Sequence, residues 1–207
     1  MCWSRCNGLT LLSRSALIWL ALLVAVTVPV ALSLNSPLLA WRQPVYVVAG
    51  VAGGIGMTVM LIQPLLISGD IPGLTPRRSR NVHRVLGGAL IAAILVHVSG
   101  LWVTSPPDVV DALLFRSPAP FAAWGVAAMW AAFGAGAVAA MRHKLRLSPR
   151  QFRGLHSLLA AIVVVGTIVH AVLILGTMEQ VSKVLLAICV VLAFARVAFK
   201  LKVWRVK

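Results

Sequence analysis

Acidic residues are nearly missing from this chain of 207 residues: 4 Asp and Glu stand against 19 Lys and Arg. Charge of either sign is scarce, at 11% of the sequence, where a water-soluble globule carries about 25%. A chain this poor in charge cannot cover a surface in water, which excludes a soluble protein and leaves no room for a separate soluble catalytic domain. Cysteine is also rare. Cys2, Cys6 and Cys189 form no disulfide framework. Cys2 and Cys6 could chelate a metal but sit at the extreme N-terminus, and Cys189, inside an apolar run, reads as a small buried hydrophobe. What the chain does have is apolar surface: 60% of its residues are hydrophobic and the mean hydropathy is +0.97. It reads as an integral membrane protein embedded in a lipid bilayer almost throughout.

The net charge of +15 would suggest nucleic acid in a soluble domain. Here the basic residues lie in short clusters between apolar runs, so membrane topology accounts for them and nucleic acid is set aside as a partner. About 20 apolar residues are needed to cross a bilayer. Six stretches qualify: 15–34, 44–67, 83–104, 119–141, 155–176 and 181–200. The first resembles a signal peptide, with Ala31-Leu32-Ser33 as a small-x-small site, but its apolar run is long and reads better as a retained anchor. Pro29 is expected to bend it. Arg5 and Arg14, the 77–84 arginines, the 142–153 cluster and the basic residues from Arg196 onward share one side of such a topology. Only Arg42, Arg116 and Lys183 fall on the other. The positive-inside bias therefore predicts cytoplasmic termini, with residues 1–14 and 201–207 flanking a transmembrane domain over 15–200.

Histidine carries the functional argument. His143 lies in a basic loop, while His83 and His97 share span three and His156 and His170 share span five. Each pair is separated by 14 residues, about four helical turns less roughly 40°, so both members face nearly one direction about 21 Å apart along the axis. Spans three and five run in the same direction, so His83 and His156 share the inner depth and His97 and His170 the outer. Facing imidazoles at two depths suit two planar macrocycles, each ligated on both faces. Generic helix packing, a bare metal or a proton pathway are the alternatives. Zinc fits poorly, because the two depths cannot share one ion and neither pair includes a Cys or carboxylate. Without a Cys-x-x-Cys-His sequence, any haem is expected to be b-type. Arg84 and Arg153, beside the inner pair, could meet haem propionates or simply obey the topology rule. Arg42, Arg116 and Lys183 are the cations available at the outer depth. Gly87, Gly88, Gly100 and Gly166 leave room for a flat ring or for close helix packing. Trp41, Tyr46 and Trp102 read as an interfacial belt. Trp124 and Trp130 read as packed inside the bundle.

Two phrases then acquire a family likeness: Arg80 to Gly88, "RNVHRVLGG", and Phe152 to Val172, "FRGLHSLLAAIVVVGTIVHAV". With the six-span layout, they resemble the ferric reductase-like transmembrane domain family. That family includes the membrane parts of ferric reductases and superoxide-generating oxidases, and the haem subunit of a bacterial methionine sulfoxide reductase system. The resemblance implies an all-α, six-helix membrane bundle with two bis-histidine haem b sites, His83/His156 inside and His97/His170 outside. It also implies a place in a bacterial inner membrane and electron transfer from a reduced flavin. Many relatives carry that flavin in a domain fused after the last span. This chain stops seven residues after Lys200, so a separate cytoplasmic flavin reductase or flavoprotein is the expected donor, and a periplasmic acceptor the expected outlet. The chain is then an electron-transfer subunit of an oxidoreductase. A quinol-linked cytochrome b and a non-redox scaffold or transporter are the competing classes.

Overall fold

Proline and a capping hydroxyl set most of the helix starts. Five helices begin on Pro, whose fixed φ suits the first turn and whose missing N–H would have no partner there. Thr75 and Ser148 cap two of them with side-chain oxygens. The Ser148 cap is a reciprocal box with Gln151. The computed structural model describes the backbone from Trp3 to Lys200 and the side chains from Arg14 to Lys200. Within it lie α1 (Trp3–Leu34), a 3₁₀ turn (Pro37–Leu39), α2 (Pro44–Ser68), α3 (Pro76–Thr104), α4 (Pro106–Leu113), α5 (Pro120–Met141), α6 (Pro149–Leu173) and α7 (Gln180–Lys200). The 201–207 tail and the side chains of Cys2, Arg5 and Cys6 fall outside the described residues.

Six of these helices are long and apolar enough to cross a membrane, with α1 contributing Arg14–Leu34. The protein is therefore an all-helical, multi-pass membrane protein. Several boundaries differ from the expected spans. Helix α3 starts at Pro76 and α6 at Pro149, because their basic first turns are already helical behind the caps. Helix α6 ends at Leu173, short of 176, where Ile174 turns extended. The 105–119 connection folds an extra short helix, α4.

Two antiparallel hairpins, α2–α3 and α5–α6, form the centre, with α7 packed along α2 and α1 at the periphery. The core gathers Met57, Met60 and Leu61 of α2, Ala131 and Ala132 of α5, Val163 and Val164 of α6, and Leu186 and Val190 of α7. Gly100 sits where a Cβ would be 2.8 Å from that of Ala49. Gly166 sits where a Cβ would be 2.8 Å from the Trp124 carbonyl. Both glycines thus bring a histidine helix close to its hairpin partner, the packing alternative of the two foreseen for them. Among the described side chains of α3 only Ser79 is buried.

Asp70, to which sequence reasoning gave no role, ties α7 to the α2–α3 loop. Gly69 takes the left-handed conformation that ends α2 (φ 71°). Asp70 then receives Arg196 Nε and Nη2, each at 2.9 Å, and Lys200 Nζ at 3.2 Å. The Ser68 hydroxyl donates to it as well. This contact places the 69–75 loop and the end of α7 on one face of the bundle. Other expectations are corrected. Cys189 is exposed rather than buried, and Trp124 and Trp130 point outward instead of packing inside the bundle.

Candidate functional site

The two hairpins bring the four helical histidines together in two pairs. His83 of α3 faces His156 of α6 with ring centroids 6.2 Å apart and planes at 68°. His97 faces His170 at 6.3 Å and 87°. Outside these pairs, His143 stays exposed in the α5–α6 connection. Among the described residues no three His, Cys, Asp or Glu side chains gather in one place, so each pair stands alone as two imidazoles.

Each outer ring is oriented from behind by the neighbouring helix. His97 Nδ1 lies 2.7 Å from the Ala49 carbonyl of α2, and His170 Nδ1 lies 2.9 Å from the Phe121 carbonyl of α5. A carbonyl can only accept, so Nδ1 carries the proton and donates, which leaves Nε2 as the free lone pair. Because the two nitrogens sit on opposite flanks of the ring, Nε2 is turned away from the helix that grips Nδ1. At the inner pair the grip is weaker. His83 Nδ1 reaches the Gln63 carbonyl at 3.3 Å. The Gln63 side-chain amide also lies against that nitrogen, and in the orientation where its oxygen accepts the Gly87 N–H at 2.8 Å its N–H donates to His83 Nδ1, which then accepts. His156 Nδ1 is buried without a hydrogen bond. The Ala135 carbonyl of α5 lies within electrostatic reach of it but makes no hydrogen bond to it. Phe152 stacks on the His156 ring instead, at 5.5 Å and 20°, and carries the Arg142 guanidinium 5.5 Å from its own ring centre.

These supporting positions repeat. Ala49 and Gln63 on α2 are 14 residues apart, as are Phe121 and Ala135 on α5, matching the histidine spacing on α3 and α6. The carbonyl positions are related by 72 residues between hairpins and the histidines by 73. The helix pairs are thus two near-copies of one unit, facing each other through their imidazoles.

The spacing can be tested against a metal. A metal–imidazole bond of about 2.0–2.1 Å on each side, with about 1.1 Å from each nitrogen to its ring centre, separates the two centroids by about 6.3 Å. Both pairs have that separation, with Nδ1 protons held on the far side at the outer pair. The separation leaves room for one metal between the rings of each pair. Residues 49–167, more than half of the chain, match the family model described as ferric reductase like transmembrane component. The chain belongs to that family. No curated protein and no solved structure matches it. For this ferric reductase-like protein, membership implies transmembrane electron transfer. Domains of the family generally bind haem and usually work with a redox partner. The matched segment contains His83, His97 and His156 and stops three residues before His170.

The charged candidates separate. Arg84 and Arg153 are exposed beside the inner pair. At the outer end, Arg42 lies 5.0 Å over the Tyr46 ring. Lys183 is 2% exposed. Its amine donates to the Ile174 carbonyl at 2.6 Å and to Gln180 Oε1 at 3.2 Å. Ile174 in turn donates its N–H to the His170 carbonyl. Sequence reasoning missed this lock and the hairpin carbonyls. No residue type marks the carbonyls, since Ala49 and Gln63, like Phe121 and Ala135, differ and every residue carries one.

Proposed function

We propose that this chain conducts electrons across a bacterial inner membrane through two b-type haems, the inner held by His83 and His156 and the outer by His97 and His170. The ring separation of 6.2 and 6.3 Å at two depths is the observation that carries this reading. Haem b supplies a one-electron carrier in each site. The residues of the chain do the rest. The four imidazoles would hold the two haem irons, one pair to each, with Nε2 the free nitrogen at His97 and His170. The Ala49 and Phe121 carbonyls hold the outer rings in the tautomer that ligation requires. Arg84 and Arg153, at the basic end, offer guanidiniums to the inner propionates. The core domain is 15–200, with 1–14 and 201–207 in the cytoplasm.

The donor is a separate cytoplasmic flavin reductase or flavoprotein, and the acceptor lies on the outer face. Support for the donor side comes from charge. Arg77, Arg78, Arg80, Arg142, Lys144, Arg146 and Arg150 are all exposed around the inner end, a field that steers an acidic surface or a flavin phosphate. Pigment quantitation on the purified full chain tests the reading. Two haems per fully loaded chain, extractable into acidified organic solvent, are expected. A loaded chain with one haem, or haem that resists extraction, would overturn it.

A further inference from the structure

The outer histidines lie tighter on their hairpin carbonyls than the inner ones, and the chain has a local reason for it. In an α-helix the carbonyl of residue i accepts the N–H of residue i+4. Side chains lean toward the N-terminus, so that of i+4 stands near the same oxygen. A second donor reaches the remaining lone pair only where this side chain leaves room. Four residues after Ala49 stands Gly53, and four after Phe121 stands Gly125. A Cβ at Gly53 would lie 3.1 Å from His97 Nδ1, and one at Gly125 would lie 2.6 Å from His170 Nδ1. The rings occupy the space that a side chain would take. At the inner depth the equivalent positions, four after Gln63 and four after Ala135, hold Ile67 and Ala139. There the contact is long at His83 and absent at His156.

We infer that Gly53 and Gly125 are positioning residues that let the α2 and α5 carbonyls grip His97 and His170, making the outer pair the more basic ligand set of the two. This rests on the haem reading above. A histidine whose Nδ1 proton is shared with a carbonyl donates more strongly through Nε2 and favours the ferric iron. Weakening that bond raises the potential of the outer centre without touching a ligand.

The test uses the purified full chain, with ferric low-spin EPR and redox potentiometry of each centre, the outer one assigned by its loss in His97→Ala. Gly125→Ala is expected to shift the outer EPR signal and move the outer potential upward, or to release the outer haem alone. Gly53→Ala does the same to a smaller degree, because its Cβ has more room. The inner signal stays in place in both. Should Gly125→Ala fail to fold, Ala139→Gly carries the test, since it opens the inner carbonyl and should move only the inner potential, downward. Wild-type protein without haem would defeat the functional reading itself. Wild type with two haems, beside glycine variants whose outer signal and potential match it at full loading, would overturn this inference alone. An inner potential unmoved in Ala139→Gly would overturn it as well.

Discussion

The outer and inner histidine pairs have nearly the same ring separation but are held by different forces. The outer rings are fixed mainly by backbone: two short hydrogen bonds to helix carbonyls, with the Phe121 ring edge-on to His170 at 5.7 Å and Lys183 and Ile174 bracing the end of α6. The inner rings are fixed largely by side chains, with Phe152 and Arg142 behind His156 and Gln63 beside His83. A ring held by a carbonyl moves only when its helix moves. A ring held by an aromatic stack shifts with one rotamer. The inner end, which faces the basic surface, is therefore the more adaptable of the two, and the outer end the more rigid.

Removing ligands breaks the comparison most severely. His97→Ala or His170→Ala should halve the haem content from two per chain to one while reduction from the cytoplasmic face persists. His83→Ala or His156→Ala should abolish that reduction. Stopped-flow absorbance in sealed vesicles, with reduced flavoprotein outside the cytoplasmic face, reads the difference. Rapid outer reduction in a folded chain lacking the inner site would contradict the series arrangement.

Lys183→Met attacks the outer brace. It leaves the half-buried Ile174 carbonyl without its charged donor, at a cost of about 1–3 kcal/mol. The thermal midpoint in detergent should fall by several degrees, and outer haem should dissociate before inner haem on heating. Equal loss of both haems would argue against a local brace. At the other end, Phe152→Leu removes an aromatic contact of about 0.5–1.5 kcal/mol. It should broaden the inner EPR signal and leave the outer one sharp. An unchanged inner line would show that the stack does not orient His156.

The smallest effect is expected far from both pairs. Arg196, with Ser68 and Lys200, holds the Asp70 carboxyl well below its usual value of 3.8 despite partial burial. The stability this carboxylate contributes is thus fully present above the ordinary carboxylate range and is lost progressively as pH falls from there through the depressed native value. Asp70→Asn should lower the thermal midpoint by about 2–4 °C at pH 7. In the parent protein this contribution should stay constant between pH 7 and pH 5. A parent-minus-variant difference that shrinks across that interval would refute the assignment.

The spans and the pairing depths were legible because hydropathy runs and a 14-residue interval are local features of the chain. Helix starts at Pro76 and Pro149 were legible too, in Thr75-Pro76 and Ser148-Pro149. The apolar runs drew attention past them because the first turns are basic. Other features were hidden for physical reasons. Asp70 finds Arg196 across 126 positions, and no period links them. Cys189, Trp124 and Trp130 looked internal because lipid and core are both apolar, so hydropathy cannot tell one face of a membrane helix from the other. The orphaned Nδ1 of His156 depends on the approach of α5, which is set by packing rather than by any motif.

The shared 14-residue interval in α2, α3, α5 and α6 makes this protein sensitive to insertions in an uneven way. One extra residue between His83 and His97 would turn the second ring by about 100° and advance it about 1.5 Å. One depth would lose its partner while the other stayed intact. The same residue added to the 142–148 connection would only lengthen a solvent-facing turn. The histidine segments of α3 and α6 are therefore locked in length to the residue, while the 143–148 stretch that joins α5 to α6 can take up a change in length.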